Sequence, residues 1–212
     1  MDTRYDPYES FSLLLSEDLY PVLYKSFMTT PHRKTYKAGE QIVFQNVELD
    51  KMGFILSGEA EIEIVSDDGD LLIPEKFSSN SLINAVAFID GGISPAAVVA
   101  VTDCTVLFIP YSRLRADVEL CREATLIAGL CAASLYRIAE RLLSTALLLP
   151  LNERVLQRLE RLKDEGNQVS ITAEKLASYL AVSKHRVHRV LKNLEEEGLI
   201  INAYGSVQLV DK

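Results

Sequence analysis

The sequence predicts an α+β protein in which a β-rich N-terminal half is joined by one long helix to a small helical C-terminal domain. Short runs of strand-forming residues follow one another between residues 33 and 110, separated by Gly and Asp turns. A proline-free stretch with helical periodicity runs from Leu120 to Leu149, and two closely spaced helix starts follow Val169. We therefore expect three parts, residues 1–118, 119–149 and 150–212.

The charge of the chain is acidic overall but unevenly spread. The chain has 212 residues, 48% of them hydrophobic, and a net charge of −8. Residues 1–150 carry 12 Lys and Arg against 21 Asp and Glu, whereas residues 151–212 carry 10 against 9. Because an acidic chain is a poor general nucleic-acid binder, DNA affinity would have to come from a local basic surface, and two copies of that surface would help.

The N-terminal half begins with a predicted helical segment and continues as strands. Residues 9–28 look helical with an interruption near Pro21, and the residues expected to pack inward are Leu13, Leu14, Val22, Leu23 and Phe27. Strands are predicted over 41–44, 52–56, 59–65, 71–77, 96–101 and 105–110. In 59–65, Ala60, Ile62 and Ile64 alternate with glutamates, which is typical of a half-buried strand. Such a series predicts a sandwich or a barrel-like roll.

The long helix has two apolar stripes. One contains Leu120, Ala124, Ile127, Cys131, Ser134 and Ile138; the other contains Ala128, Ala132, Leu135, Ala139, Leu142 and Leu149. One stripe can face the roll and the other an identical helix, as in a two-stranded coiled coil. We predict a dimer interface on the first stripe, at Leu120, Ile127, Cys131, Ser134 and Ile138; the alternative is one buried helix in a monomer. Pro150 ends the helix, Asn152 is expected to start the next one (153–165), and Leu149-Pro150 is a candidate hinge.

Two helix starts eleven residues apart indicate a helix pair near the C-terminus. Thr172 and Ser183 are residue types that cap helix N-termini, and only Ala181-Val182-Ser183 separates the two helices. The apolar stripe that would hold the pair together comprises Ile171, Leu176, Leu180, Val182, Val187, Val190, Leu191 and Leu194. Gly198 suits the left-handed residue that ends a helix.

The second helix of the pair has a basic exposed face, formed by Lys184, His185, Arg186, His188, Arg189 and Lys192. The first two turns of a helix in the major groove meet base edges and phosphates. We predict that Lys184, His185, Arg186 and Arg189 read bases or nearby phosphates, and that Thr172, Ser183 and Lys192 position the DNA backbone. An isolated basic helix is more often a solvated surface; the caps, the short turn and the one-sided charge favour DNA binding here.

Residues 199–208 read as two short strands about Tyr204-Gly205, a β-hairpin wing. With this wing, the stretch ITAEKLASYLAVSKHRVHRVLKNLEEEGLI resembles the winged helix-turn-helix of the cyclic AMP receptor/fumarate-nitrate regulator (Crp/Fnr) family of bacterial transcription factors. That family commonly has Arg-Glu at the second and third residues of the recognition region and Arg four residues after the Glu. Here Lys184, His185 and Arg189 hold those positions, which implies a similar docking on a different DNA sequence.

The N-terminal half resembles the same family. The segments KAGEQIVFQ and GFILSGEAEIEIVSDDGD are similar to the double-stranded β-roll of the cyclic nucleotide-binding fold, so the resemblance covers nearly the whole chain after about residue 30. It implies a homodimer on double-stranded DNA, whose operator is an inverted repeat with half-site centres about 34 Å apart. RNA polymerase is a further candidate partner.

The effector pocket departs from the family. In nucleotide-binding relatives a glutamate contacts the ribose and an arginine pairs with the cyclic phosphate. Asn84 falls near the glutamate position, Ser94-Pro95-Ala96 replaces the arginine motif, and no Lys or Arg lies between Lys76 and Arg113. Because a buried unpaired phosphate is costly, we expect no cyclic AMP or cyclic GMP binding in the family's manner. The remaining pocket, assigned to Ile83, Asn84, Ser94 and Ala96, is either packed core or takes an uncharged ligand.

No cofactor, metal or catalytic activity is expected. The three cysteines, Cys104, Cys121 and Cys131, lack zinc or disulfide spacing and provide no N-terminal iron–sulfur cluster, and His32 alone is a weak haem ligand. No P-loop or nucleophile-elbow motif occurs. The alternative function is a sensor of an apolar or redox signal, in which Cys121 or Cys131 responds to oxidation. No signal peptide or membrane-spanning stretch is visible, which predicts a cytoplasmic protein.

Overall fold

The computed structural model describes residues 15–210, which form two compact units. The first unit comprises the described part of residues 1–64 together with residues 74–140. The second comprises residues 65–73 and the described part of residues 141–212. The units therefore divide within the long helix, whereas the predicted three-part division follows the secondary structure and stays a prediction.

The strands up to residue 110 form two antiparallel sheets. Their bounds are β1 Arg33–Tyr36, β2 Gln41–Val43, β3 Lys51–Ser57, β4 Ala60–Val65, β5 Leu71–Leu72, β6 Lys76–Phe77, β7 Leu82–Ile83, β8 Ala97–Ala100 and β9 Cys104–Pro110. One sheet has the order β1-β9-β3-β7; in the other, β8 lies between β2 and β4, and β6 also pairs with β4. The α+β class is confirmed.

Each predicted strand has a counterpart, and the differences lie in the short elements. β1 and β7 were not predicted, and the strand predicted over 71–77 is two separate strands. These elements are too short to display a period of two. The alternation predicted for β4 is wrong at Glu61, whose side chain is buried at 3% exposure between buried Ala60 and Ile62.

The core of the first unit is formed by helices packed against β3 and β9. The helices are α1 Pro21–Thr29, α2 Ala87–Asp90, α3 Tyr111–Ala116 and α4 Val118–Leu148. Leu23 and Phe27 are fully buried as predicted, whereas Val22 is 37% exposed. Pro21 does not interrupt a helix but begins one, because its fixed φ suits the first helical position. Leu13 and Leu14 lie outside the described residues.

A buried carboxylate joins α1 to α4. Oε2 of Glu123 accepts a hydrogen bond of 2.8 Å from the backbone N–H of Leu23, in the first turn of α1. The N–H groups of a first turn have no partner within the helix, so a side-chain acceptor satisfies one of them. Glu123 is 3% exposed. A carboxylate near the N-terminus of α1 interacts favourably with the positive end of the helix dipole.

The first stripe of α4 packs inside its own chain. Leu120, Ile127 and Cys131 belong to the same core cluster as Phe27 and Leu107. Ser134 and Ile138 are also buried, at 2% and 5% exposure. The assignment of a dimer interface to Leu120, Ile127, Cys131, Ser134 and Ile138 is therefore corrected, because side chains buried in one subunit present no surface to another.

The second unit is a three-helix domain with a small sheet. Its elements, besides the end of α4 and the strand β5, are α5 Leu151–Leu162, β10 Gln168–Ser170, α6 Ala173–Leu180, α7 Lys184–Glu196, β11 Ile200–Ala203 and β12 Ser206–Leu209. The sheet has the order β10-β12-β11, in which β10 was not predicted. Pro150, not Asn152, occupies the N-cap of α5. Ile73 is fully buried in this unit's core, and its N–H bonds to the carbonyl of Ser178 at 3.1 Å.

Within the part of the chain that the structure describes, no helix has both the length and the apolar character needed to span a membrane.

Candidate nucleic-acid interface

The turn between α6 and α7 is built as the sequence predicts, with one exception. Oγ1 of Thr172 accepts the N–H of Lys175 at 3.2 Å and caps α6. Ala181 then takes a left-handed conformation with φ +51°, which lets the chain reverse within three residues. Ser183 stands at the N-cap of α7, but its side chain makes no capping hydrogen bond, so the predicted cap is corrected.

α7 separates an apolar face from a basic one. Val187, Leu191 and Leu194 are buried against the domain core. All six predicted basic residues of this helix are exposed: Lys184, His185, Arg186, His188, Arg189 and Lys192. With 13 residues the helix is about 20 Å long and of a width that the major groove of B-DNA accepts.

A groove of about 500 Å³ lies beside this basic face. It is lined by the start of α6, including Thr172, by Lys184 and His188 of α7, and by the tip of the β11–β12 hairpin. The hairpin is the predicted wing: Tyr204 at its tip is fully exposed, and Gly205 follows it with φ +75°. The helix face and the wing thus border one concave surface.

Several of these groove residues were not assigned to the site from sequence. Asn202 and Tyr204 of the wing line the groove. The Tyr204-Gly205 turn was a sufficient signal for the wing, but no pattern indicated which wing side chains would face α7. His188 was recognised as exposed but not assigned to the site, and it also lines the groove.

Two predicted DNA contacts already have acidic neighbours. Nζ of Lys184 lies 3.8 Å from Oε2 of Glu174, and Nζ of Lys192 lies 3.7 Å from Oε1 of Glu196. All four side chains are more than half exposed, so each pair contributes at most about 1 kcal/mol. Phosphate groups can therefore replace these carboxylates at low cost.

A further arginine supports the turn from α5. Nη2 of Arg154 donates a 2.7 Å hydrogen bond to the carbonyl of Leu180, the last residue of α6. Partial burial, and to a smaller extent the positive charge of Arg186, lower the pKa of Arg154. The guanidinium groups of Arg154 and Arg186 are therefore close enough for their charges to interact, near the turn between α6 and α7. Sequence spacing did not predict this proximity, because 32 positions separate the two residues.

The predicted effector pocket is occupied by the protein's own side chains. Ile83 and Ala96 are buried at 1% and 8% exposure. Oγ of buried Ser94 donates to the carbonyl of Ala96 at 2.6 Å. Asn84 lies at φ +63°, where its side-chain amide donates to the carbonyl of Lys51 at 3.3 Å and its own carbonyl accepts from the Tyr111 hydroxyl at 2.6 Å.

The four pocket residues thus bond to local neighbours, and the neighbouring apolar residues belong to the core. Leu82, Ala85, Ala87 and Phe88 are members of the core cluster of the first unit. One basic residue approaches this segment from outside it: Arg115 of α3 donates to the carbonyl of Phe88 at 2.6 Å and lies 4.7 Å from the Phe88 ring centroid. These observations favour the packed-core interpretation of the segment.

Two of the three cysteines, Cys104 and Cys131, are buried and provide little support for a redox sensor. Burial raises the pKa of the Cys131 thiol to about 12 and raises that of Cys104 as well. A thiol in this state stays protonated and reacts slowly, because the thiolate is the nucleophile. Among the described residues no group of three or more His, Cys, Asp or Glu side chains is arranged to hold a metal ion.

Comparison with known proteins identifies both halves of the chain. Residues 33–119 match the cyclic nucleotide-binding domain, and residues 136–212 match the Crp-like helix-turn-helix domain. The cAMP-activated global transcriptional regulator Vfr of Pseudomonas aeruginosa is 27% identical over 80% of this chain and 85% of its own length. The cAMP-activated regulator CRP of Escherichia coli is 22% identical over 87% of this chain and 91% of its own.

Solved structures show the same fold. The c-di-GMP responsive global regulator CLP of Xanthomonas campestris aligns with a TM-score of 0.80 at 21% identity, over 89% of this chain and 98% of its own. A CRP/FNR-family transcriptional regulator of Thermus thermophilus aligns with a TM-score of 0.70 at 23% identity, over 85% and 94%. With the basic helix, the turn and the wing in place, the chain belongs to the Crp/Fnr family of DNA-binding transcription regulators.

Proposed function

We propose that this regulator acts as a homodimer on an inverted-repeat operator, without cyclic AMP. Each subunit places α7 in the major groove, with the two half-site centres about 34 Å apart. The observation that supports the proposal best is the exposed basic face of α7 beside the groove that the wing borders. Because its target is DNA, we expect the protein in the cytoplasm and without catalytic activity of its own.

The basic residues divide into base readers and backbone contacts. Lys184, His185, Arg186 and Arg189 lie on the first two turns of α7, where side chains reach base edges. Arg189 is the leading candidate for specificity, since arginine pairs with guanine through two hydrogen bonds. Thr172, Ser183 and Lys192 would position the phosphate backbone. RNA polymerase stays a candidate partner, with no surface assigned to it.

The dimer contact is proposed for the outer face of α4. Seven positions of that helix recur at alternating intervals of three and four and are all exposed: Leu126, Gly129, Ala133, Tyr136, Glu140, Leu143 and Leu147. Leu126, Tyr136, Leu143 and Leu147 are between 52% and 74% exposed. This is the seam of a two-stranded coiled coil. Among residues 15–210, apart from the adjoining turns of α4 itself, no atom lies within 4 Å of a Cβ built on Gly129, which leaves room for a partner helix.

The absence of cyclic AMP control rests on the packed segment 81–98. Ile83 and Ala96, which were assigned to the pocket, are buried, and the sequence offers no basic residue between Lys76 and Arg113. A cyclic phosphate would lose its hydration there without gaining a paired charge, which is unfavourable.

The proposal is tested by equilibrium binding of the full chain to a labelled random-sequence duplex at several salt concentrations. We expect binding at low salt that weakens as salt rises, and no change on addition of cyclic AMP. Lys192→Ala, at a proposed backbone contact, should reduce the salt slope by about one for each subunit engaged. Lys163→Ala, on the C-cap of α5 and outside the basic face, serves as the matched control and should leave the slope unchanged. Tight binding that requires cyclic AMP would overturn the proposal.

A further inference from the structure

A hairpin that precedes α4 in the sequence belongs to the same unit as the recognition helix. Residues 65–73, called hairpin 65–73 below, are grouped with α5, α6 and α7. The turn of this hairpin is closed by its own hydrogen bonds. The N–H of Ser66 donates to the carbonyl of Asp70 at 3.0 Å, the N–H of Asp70 donates to Oγ of Ser66 at 3.0 Å, and the N–H of Gly69 donates to the carbonyl of Ser66 at 2.9 Å. Hairpin 65–73 is therefore a well-formed element of the second unit.

Ile73 anchors hairpin 65–73 in the core of this unit. Its side chain is fully buried in the cluster that also contains Leu176 of α6 and Val187 of α7. Leu71, two positions earlier, is partly buried against the same cluster. Because burial of a large aliphatic side chain is one of the stronger single contributions to packing, these two residues hold the hairpin in the core that α6 and α7 share.

The backbone of Ile73 also satisfies a carbonyl at the end of α6. The last carbonyls of a helix have no partner within the helix, so donors from elsewhere must satisfy them. The N–H of Ile73 donates to the carbonyl of Ser178 at 3.1 Å. Ser178 is the third residue from the end of α6 and lies five positions before Ser183, the N-cap of α7. This hydrogen bond therefore fixes the segment that leads directly into the recognition turn.

Two side chains of α5 hold the carbonyls that follow. Nη2 of Arg158 donates to the carbonyl of Tyr179 at 3.4 Å, and Nη2 of Arg154 donates to the carbonyl of Leu180 at 2.7 Å. These donors, like the N–H of Ile73, come from outside α6 and α7. A helix of eight residues, such as α6, depends on tertiary contacts more than on its own hydrogen bonds. The position of the turn, and of α7 after it, therefore depends on hairpin 65–73 and α5.

We propose that hairpin 65–73 is a positioning element for DNA recognition, with Ile73 as its anchor. This inference rests on the proposed function, because the hairpin would hold α7 at the angle at which its basic face enters the major groove. Among the described residues, those that line the groove beside α7 include none from the hairpin. The effect on DNA therefore passes through the end of α6. Release of the hairpin alters sequence recognition without changing any side chain proposed to touch DNA.

The first test is hydrogen exchange of the full chain without DNA, in which Ile73→Ala is compared with Ile200→Ala. Both isoleucines are buried in the same core, at 0% and 2% exposure, but Ile200 belongs to β11. Release of the α6 end in Ile73→Ala should accelerate exchange selectively at the amides of residues 178–187, by about tenfold or more. In Ile200→Ala, exchange at these amides should rise no more than in the rest of the unit. Ile73→Val retains most of the side chain and should exchange like the unaltered chain. Leu71→Ala repeats the comparison with a smaller loss of core, should Ile73→Ala not fold.

The second test is selection of bound sequences from random duplex DNA by the same variants. The exposed cations of α7 are the same in every variant, so attraction to phosphates is retained. Ile73→Ala should instead lose sequence preference, with its best sequence enriched about tenfold or more below the enrichment by the unaltered chain. Ile73→Val should select the same sequence as the unaltered chain.

Three results would overturn the positioning role. They are uniform acceleration of exchange across the unit in Ile73→Ala, equal acceleration at residues 178–187 in Ile73→Ala and Ile200→Ala, and unchanged sequence selection by Ile73→Ala. Because the exchange measurement contains no DNA, it decides whether the hairpin fixes the turn even if the unaltered chain binds no duplex. That last result would refute the proposed function alone.

Discussion

The recognition helix α7 and the segment 81–98 differ in their content of basic residues and in the exposure of their side chains. On α7 six basic side chains are exposed to solvent. In segment 81–98 no Lys or Arg occurs, and Ile83, Ser94 and Ala96 are buried. A surface that binds DNA keeps its cations hydrated until phosphates replace the water, whereas an interior site for a cyclic phosphate must hold a partner charge. The basic face of α7 meets the first condition, and no Lys or Arg between Lys76 and Arg113 is available for the second, which is the basis for proposing DNA binding without cyclic AMP.

We expect the largest effect from a substitution on the outer face of α4, because the proposed operator binding requires two copies of α7. Ala133→Glu would oppose two carboxylates across the proposed seam and add bulk where two helices approach. We expect a monomer and a loss of operator affinity of more than about 100-fold, since one recognition helix remains. Sedimentation and duplex binding measure the two effects. Val118→Glu, exposed at the start of the same helix but outside the seam, should remain dimeric; dimeric Ala133→Glu would refute the seam.

The next effect tests how tightly the β-roll is packed. Gly58 has φ +94°, and a Cβ there would lie 2.8 Å from Sγ of Cys104 and overlap the carbonyl oxygen of Asp103. Gly58→Ala should lower the free energy of unfolding by about 2–4 kcal/mol, from backbone strain and overpacking together. Gly39 has φ +85° but open space around it, so Gly39→Ala isolates the backbone contribution. Equal losses in the two variants, measured by urea unfolding, would show that packing at Gly58 is loose.

Arg189→Ala tests the assignment of base reading on α7. Removing one bidentate contact should cost about 1–3 kcal/mol of operator binding and relax the preference at one base pair. Lys192→Ala, a proposed backbone contact, should weaken all sequences about equally and reduce the salt dependence. Binding of single-base operator variants distinguishes the two. A uniform loss in Arg189→Ala would remove its role in specificity.

The pH dependence of stability tests whether the buried Cys131 thiol stays protonated in the folded chain. The pKa of Cys131 is about 12 in the folded chain, raised by burial above its ordinary value of 9.0. At a pH between these two pKa values, the thiol is ionised in the unfolded chain and protonated in the folded one. The free energy of unfolding therefore falls as pH rises, by up to about 1.4 kcal/mol per pH unit. Urea unfolding from pH 8 to 10 should show a shallower fall for Cys131→Ala than for the unaltered chain. Parallel profiles would indicate a thiol that ionises normally.

The smallest effect concerns the turn that presents α7. Ala181 adopts φ +51°, a conformation that glycine accepts without the Cβ clash. Ala181→Gly should raise the free energy of unfolding by a few tenths to about 1 kcal/mol, the relief of strain exceeding the entropy gained by the unfolded chain. Ala173→Gly, at the first residue of α6, should instead lower it by a few tenths to about 1 kcal/mol. Thermal unfolding measures both, and a destabilised Ala181→Gly would contradict the strain.

Predictions from the sequence were most accurate for elements whose structure depends on residues only a few positions apart. The Thr172 cap, the three-residue turn and the Tyr204-Gly205 hairpin all depend on residues within a few positions, and each was found as predicted. Both predicted stripes of α4 are apolar, so periodicity could not say which positions pack inside the chain; Ala128 of the second stripe is buried too, and the exposed positions proposed for the dimer contact belong to neither stripe. Glu61 is buried on a strand whose alternation predicted exposure, because neighbours distant in sequence determine its burial.

The most direct test of the account is selection of bound sequences from random duplex DNA by the purified full chain, with and without cyclic AMP. We expect an inverted repeat whose half-site centres lie about 10 base pairs apart, enriched equally in both conditions. Recovery of no sequence, of a single half-site without symmetry, or of a repeat that is enriched only when cyclic AMP is present would contradict it.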